Sequence, residues 1–437
     1  MNEKMKDSGI QWIGEIPERW KVIKAKYYSY MKGRIGWQGL MADEFTEDGP
    51  YLITGTDFDN GRVYWDRSYH ITIERYNEAP QIQVQEGDLL VTKDGTIGKL
   101  AYIDSLPDKA SLNSHLLLIR PIRGKYINKY LYWILSSSVF VDYYELVSSG
   151  STMSSISQEK LENFTFPLPS LEHQQAIATF LDSTCSQVDG IITDLEHQVD
   201  LLKEYKKSLI TETVTKGLDK HVKLKDSGIA WIGKIPEHWE VTRLKYISKF
   251  KTGGTPDDKS GINTENDGFP WITAPDITDS LDIRNYSQYI TDKSVKLHRY
   301  SLFPANSILL VCIASVGKIG MLHEYGYANQ QITAIMSNNC ILPRYLLFYL
   351  NSVATKISAD ASSNVVPIIN TRYLSNISVI LPSLEQQQDI ASFLDTRCAE
   401  IDSIIKGKEE QIEQQKEYKK SLIYEYVTGK KRVKEVY

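Results

Sequence analysis

LPSLEHQQAIATFLD, residues 168–182, returns as LPSLEQQQDIASFLD at 381–395, an offset of 213. Downstream, EYKKSLI at 204–210 recurs letter for letter at 417–423, at the same offset. Upstream, DSGIQWIGEIPERW at 7–20 returns as DSGIAWIGKIPEHW at 226–239, with eleven of fourteen positions identical at an offset of 219. A period this long is far beyond solenoid repeats of about 20–50 residues, so the chain is a whole domain plus an extension, written twice. The offset falls from 219 to 213, so the middle of the second copy is six residues shorter, and that middle has diverged almost completely.

Working outward, each copy has three parts. A leading segment, 6–24 and 225–243, carries Trp12, Ile13, Ile16, Pro17 and Trp20, matched by Trp231, Ile232, Ile235, Pro236 and Trp239. Pro and Gly punctuate it, so it reads as an ordered loop packed on something. The second part, about 25–167 and 244–380, has short apolar runs of strand length, such as Asp88 to Thr92, His115 to Ile119, Ser307 to Val311 and Gln331 to Ile335. Helical stretches follow, Tyr126 to Val147 and Pro343 to Ser358. This mixture suggests α+β domains without the alternation of a doubly wound fold.

The third part is a long helix. Leu181, Val188, Leu195, Leu202 and Leu209 fall seven apart, and Ile177, Ile191 and Tyr205 supply part of the other seam position. About 45 residues without proline make a rod of roughly 65 Å at 1.5 Å per residue, with Ser170 able to cap its start. The second copy keeps Ile390, Leu394, Ile401, Ile405, Ile412 and Leu422, but places Lys408 and Gln415 where the first has Leu195 and Leu202. Two such stripes cover each other most economically as an antiparallel intramolecular coiled coil; the alternative is two helices packed each on its own domain. The expected organisation is therefore α+β with pseudo-two-fold internal duplication: a first domain with its leading segment at 1–170, a central helix at 171–217, a second domain at 218–383, and a C-terminal helix and tail at 384–437.

Composition bounds the function. The chain has 437 residues, 42% apolar and 24% charged, as in soluble globular proteins. Its longest apolar run, Ile308 to Ala314, is too short to span a bilayer. The start MNEKMKDSG lacks an apolar signal core, so a cytoplasmic protein is expected. Four cysteines without spacing pattern suit a reducing compartment, and Cys185 and Cys398, equivalent at offset 213, read as small core residues. A net charge of −5 argues against indiscriminate nucleic-acid binding but leaves local basic patches open.

The usual chemical motifs are missing together. The eight histidines form no HExxH, and there is no CxxC, so a metal site is not expected. Gly95-Thr96-Ile97-Gly98-Lys99 resembles a phosphate loop, but Lys93 stands where Walker A needs glycine and Leu100 where it needs Ser or Thr; Ala314 to Lys318 fails likewise. Neither the (Asn/Asp)-Pro-Pro-(Tyr/Phe) of an amino-methyltransferase nor a nuclease core appears. The chain reads as a binder, not an enzyme, with no catalytic residues.

Two divergent domains joined by two matched helical rods resemble the specificity subunits of type I restriction–modification systems. The repeated LPSLE blocks, IPERW and IPEHW, and EYKKSLI carry the resemblance over nearly the whole chain. Arg34 to Leu40, Gly87 to Lys99, Lys251 to Pro256 and Ser315 to Lys318 add to it. The resemblance implies two target-recognition domains, each reading half of an asymmetric bipartite site in double-stranded DNA. The helices would set the gap and dock two methyltransferase subunits, with two motor–nuclease subunits in the full complex. S-adenosylmethionine, ATP and magnesium would belong to those partners, leaving this chain without cofactor; no membrane is implied.

Base edges are read mainly by Arg, Lys, Asn, Gln, Ser and Thr, and phosphates by Lys, Arg, Tyr and backbone amides. In the first domain this selects Arg34, Trp37 and Gln38, then Lys93, Thr96 and Lys99, then Asn113, Ser114 and His115. In the second it selects Lys251, Thr252 and Thr255, then Ser315 and Lys318, then Asn329, Gln330 and Gln331. The competing reading is that the Gly-Lys turns are plain hairpins with solvated lysines. A rival function is a scaffold whose twin domains bind protein and leave DNA untouched; another is a nuclease or methylase with unrecognised motifs.

Overall fold

The computed structural model describes residues 4–34, 40–93, 98–148, 155–254, 261–265, 268–298, 300–361 and 366–433. The chain divides into two compact units, Met1–Glu196 with Glu410–Tyr437, and His197–Glu409. Each unit therefore holds one mixed α/β domain, part of its own long helix and part of the other.

In the first unit the leading segment is not a loop but a hairpin, Met5–Asp7 antiparallel to Glu15–Pro17. Three-residue strands are too short to show alternation among prolines and glycines. The turn is set by Asp7, whose carboxylate accepts the Gly9 N–H at 2.9 Å; Asp226 does the same for Gly228. Next, Lys21–Lys24 pairs with Thr165–Leu168, so the domain begins and ends side by side at the foot of its rod.

The central sheet is antiparallel, in the order Leu100–Tyr102, Leu89–Thr92, Leu116–Pro121, Ser29–Gly33. Its side chains alternate between two cores, as strand geometry dictates. Leu89, Val91, Leu117 and Ile119 pack with Ile177, Ala178 and Leu181 of the first rod and Leu422, Ile423 and Val427 of the second. Leu90, Leu116 and Leu118 face Ile53, Phe58 and Ile82 in the outer core. The unbroken apolar runs of the sequence are thus strands buried on both faces. The second unit repeats the arrangement: Ile308, Leu310 and Ile335 face Ile210, Val214, Ile390 and Leu394, while Leu309, Val311, Ile332 and Ala334 face outward to Ile277 and Phe303. Each expected long domain helix is broken in two, Asn128–Leu135 with Ser138–Ser148, and Pro343–Ser352 with Ala354–Ala359.

The long helices run Leu171–Lys216 and Leu384–Val427. Ser170 Oγ accepts the His173 N–H and Ser383 Oγ the Gln386 N–H, the serine caps that start them. They are antiparallel within each unit. In the second unit Gln198 meets Lys408 and Lys206 meets Asp402; in the first, the Phe180 ring lies tilted against Tyr426 and Asp189 meets Lys419. Leu181 and Val188 are buried, whereas Leu195, Leu202 and Leu209 are half-buried. Leu394, Ile401, Ile405, Ile412 and Leu422 are buried opposite.

The second seam position differs from the sequence reading. Ile191 and Tyr205 are exposed, and the seam takes Cys185, Ile192, Val199, Lys206 and Thr213 instead, one heptad apart. Either set gives spacings of three and four with the leucines, so spacing alone does not choose between them; burial in the folded chain does. Lys206 and its equivalent Lys419 run their stems along the seam and bring their ammonium groups to Asp402 and Asp189 at 2.6–2.7 Å. Cys185 and Cys398 are buried as expected, and burial pushes each thiol up to about 11.

Both rods stop at a glycine in the left-handed region, Gly217 (φ 79°) and Gly429 (φ 74°). A Cβ would be crowded at the first and would clash at the second. At Gly217 it would lie 3.0 Å from the Trp239 ring; at Gly429, 2.6 Å from Pro17 and 2.9 Å from Trp20. The IPEHW and IPERW motifs thus close over the end of a rod.

Candidate nucleic-acid interface

Strand register decides which loops meet. In the first unit Gly33 pairs with Leu117, Thr92 with Leu116, and Val91 with Leu100. Hence Arg34, Lys93, Lys99 and Asn113–His115, scattered over some eighty residues of sequence, emerge at one end of the central sheet. In the second unit Thr252 pairs with Thr333, Val311 with Ile332, and Leu310 with Ile319. Lys251–Thr252, Ser315, Lys318 and Asn329–Gln331 accordingly gather at the corresponding end.

The loops are fixed by backbone bonds that match in the two units. Lys93 N–H donates to His115 O at 2.8 Å, and Cys312 N–H to Gln331 O at 2.7 Å. Thr92 N–H donates to Lys99 O and Val311 N–H to Lys318 O, closing the two Gly-Lys turns with Gly98 at φ 77° and Gly317 at φ 98°. Ala314 also sits at φ 66°, a costly conformation for a residue with a Cβ; glycine, Gly95, stands at the equivalent place in the first copy. Gly253 allows a close crossing, since a Cβ there would lie 2.2 Å from the carbonyl oxygens of Ala328 and Asn329.

The selected side chains are presented unequally. Lys99, His115, Lys251, Thr252, Ser315, Lys318 and Gln330 are exposed, while Lys93, Asn113, Ser114, Asn329 and Gln331 are half-buried. Asn113 Oδ1 accepts the Ser114 N–H, Asn329 Oδ1 accepts the Gln331 N–H, and Lys251 Nζ lies 3.5 Å from Leu302 O. Trp37, Gln38, Thr96 and Thr255 fall outside the described residues. Arg34 differs from its expected presentation. It is 4% exposed, donating from Nε to Leu112 O at 2.8 Å and from Nη2 to Ser111 Oγ at 3.1 Å. Burial and then the nearby Arg75 charge pull its guanidinium down to about 10, so it stays cationic at neutral pH. Its place is beneath the loops, holding the Ser111–Asn113 strand end.

A fourth loop at this end was not singled out in the sequence. Asn113 N–H donates to Ile53 O and Asn329 N–H to Ile272 O, which brings up the turns Thr54–Asp57 and Thr273–Asp276. Each turn is closed by its aspartate accepting the threonine N–H, at 2.8 and 2.7 Å. The available signal was Ile-Thr-x-x-Asp, kept in both copies at offset 219 within otherwise diverged sequence. Loops of this composition, with exposed lysines, amides and hydroxyls on a rigid sheet end, can contact phosphates and base edges.

Comparison with known proteins accords with this geometry. The family model described as the type I restriction modification DNA specificity domain matches residues 38–200 and again 236–414. The MjaX type I restriction enzyme specificity subunit of Methanocaldococcus jannaschii is 28% identical over 430 residues, covering 97% of this chain and 96% of its own. The EcoBI specificity subunit of Escherichia coli is 26% identical over 343 residues, covering 74% and 70%. Among solved structures, a chain from work on complex assembly and conformational transition of the type I R-M system superposes with a TM-score of 0.74 at 15% identity, covering 94% of this chain and 98% of that one. The HsdS subunit from Thermoanaerobacter tengcongensis gives 0.53 at 16% identity over 95% and 98%. These two likenesses show the shared fold: mixed domains with long paired helices. With its specificity-domain match repeated on both halves, the chain belongs to the type I restriction–modification DNA specificity family.

Proposed function

We propose that each recognition domain reads one half of an asymmetric, bipartite duplex DNA site through the loops at its sheet end, and that the paired helices set the gap between the halves. The observation that carries this reading is the gathering of the same loops at the same sheet end in both units, with Lys99 and Lys318 in matching turns while the neighbouring side chains differ. Matched lysines suit the sequence-independent phosphate backbone; differing neighbours suit two different half-sites. Arg34 positions the loops from beneath, and Lys93, Thr96, Trp37, Gln38, Thr255 and the Asn and Gln side chains are the candidates for base contact.

The same reading assigns the chain a non-catalytic role in the cytoplasm, with two methyltransferase subunits docked on the helices and two motor–nuclease subunits beyond them. S-adenosylmethionine, ATP and magnesium are assigned to those partners. Support for docking comes from exposed apolar side chains that recur at offset 213 on both helices: Ile191 with Ile404, and Tyr205 with Tyr418. Among the described residues no helix is long and apolar enough to cross a membrane.

Methylation mapping of DNA from a host carrying the complete system tests the proposal. A single asymmetric motif with two specific halves and a fixed unspecified gap is expected. A continuous or palindromic motif, or methylation that persists after deletion of this chain, would refute it.

A further inference from the structure

One side chain ties each recognition domain to its rod. Gln174 is wholly buried in the first turn of the first long helix, and Gln387, its equivalent at offset 213, is wholly buried in the second. The Gln174 amide accepts the Ile127 N–H at 3.0 Å and donates to Lys125 O at 3.0 Å and to Pro169 O at 2.9 Å. Gln387 accepts the Leu342 N–H at 2.8 Å and donates to Cys340 O at 3.2 Å and Pro382 O at 2.9 Å. Ile127 and Leu342 are the residues that begin the domain helices Asn128–Leu135 and Pro343–Ser352, and neither has a side-chain cap of its own. The glutamine of the rod therefore supplies a partner at the start of each domain helix.

That helix continues the linkage on both sides. Its Tyr130 hydroxyl is shared between Pro167 O and Val427 O, both at 3.1 Å, the latter at the end of the other rod. Tyr345 does likewise with Ile380 O at 3.0 Å and Val214 O at 3.3 Å. In the first unit Asn128 Nδ2 then donates to Gly87 O and Ile119 O, reaching the central sheet whose far end carries the reading loops. A side chain with three directional bonds to backbone fixes an angle in a way apolar contact does not, because hydrogen bonds weaken steeply off axis.

We infer that Gln174 and Gln387 are positioning residues for specificity: they hold the tilt of each recognition domain on its rods and so sharpen the choice of gap length between half-sites, without touching DNA. The inference rests on the bipartite reading above. The two glutamines stand in the same QQ motif that identifies the repeat, and the sheet ends that face outward are built from other residues. Their loss should leave base preference within each half unchanged.

The test uses the complete complex of this chain with its methyltransferase partners and a panel of duplexes in which the mapped gap is lengthened or shortened by single base pairs. Gln174→Leu, Gln387→Leu, and the near-isosteric Tyr130→Phe and Tyr345→Phe are compared with the unaltered chain. The expected result is that the preference for the native gap over its neighbours falls by about tenfold in the glutamine variants, each of which loses all three buried hydrogen bonds of its side chain, and by less in the phenylalanine variants. Preference for each half-sequence stays as it was. If binding falls equally on every gap length, or if base preference changes, the inference is overturned. Should the leucine variants fail to fold, the phenylalanine pair decides by the same criterion. An unaltered complex indifferent to gap length would instead overturn the bipartite reading itself.

Discussion

Replacing Lys99 and Lys318 by alanine separates phosphate contact from base reading. Both lysines are exposed and follow left-handed glycines in turns closed by the same backbone bonds, so truncation beyond Cβ leaves the turns intact. Each turn brings one ammonium group to the sheet end, hence at most one phosphate per lysine. One lost phosphate contact lowers the slope of log K against log salt by about 0.9, so between about 50 and 200 mM salt the single variants lose about 3.5-fold less affinity than the unaltered complex does. The double variant should show about twice the change in slope. Fluorescence anisotropy on labelled duplex, with specific and random sequence in parallel, measures this directly. The ratio of specific to random binding should be nearly constant. An unchanged salt slope in both single variants would refute the assignment of these turns to the phosphate backbone; a large loss confined to the specific duplex would convert the lysines into base readers.

Other expectations concern the framework. Gly429→Ala should destabilise the end of its rod by about 2–4 kcal/mol and Gly217→Ala by about 1–2, from left-handed strain plus the closer approach to Pro17 and Trp20 at the former; hydrogen exchange of the last helical turns should rank them so, and the reverse order would contradict the packing. Burial raises the Asp282 carboxyl, but hydrogen bonds from Arg344 and His323 outweigh it and hold the group below the usual carboxylate range. Its folded value is depressed, so the stability it adds is present above the unfolded value of about 3.9 and is lost as pH falls through the lower folded value. Acid unfolding followed in Asp282→Asn should show a shallower limb below about pH 4, and an identical limb would remove Asp282 from the account. Finally, paired Ile191→Lys and Tyr418→Lys substitutions should lower the number of methyltransferase subunits bound from two to one by native mass spectrometry while the melting temperature stays put. Retention of both subunits would exclude that surface.

Periodicity made the rods legible because seven-residue spacing survives without knowledge of any partner. It gave only half the seam. Ile191 looked as good a seam residue as Ile192, yet the folded chain leaves the former exposed and the latter half-buried. The strands read correctly as apolar runs, but their two-faced burial shows only once Leu89 and Leu90 are seen to face different cores. Arg34 illustrates the limit at the site: an arginine beside glycines has the chemistry of a DNA contact, and whether it points at solvent or at Leu112 O depends on a strand some eighty residues away. Gln174 and Gln387 were visible only as letters in a repeat.

By itself the sequence determined the duplication, the helical rods, the strand-like character of the domains and the family, all of which rest on local pattern and on comparison of one copy with the other. Tertiary structure decided which loops share a sheet end, which apolar residues remain exposed, and which polar residues are bound internally. Those outcomes depend on register between strands and helices distant in the chain, where a shift of one residue exchanges inside for outside.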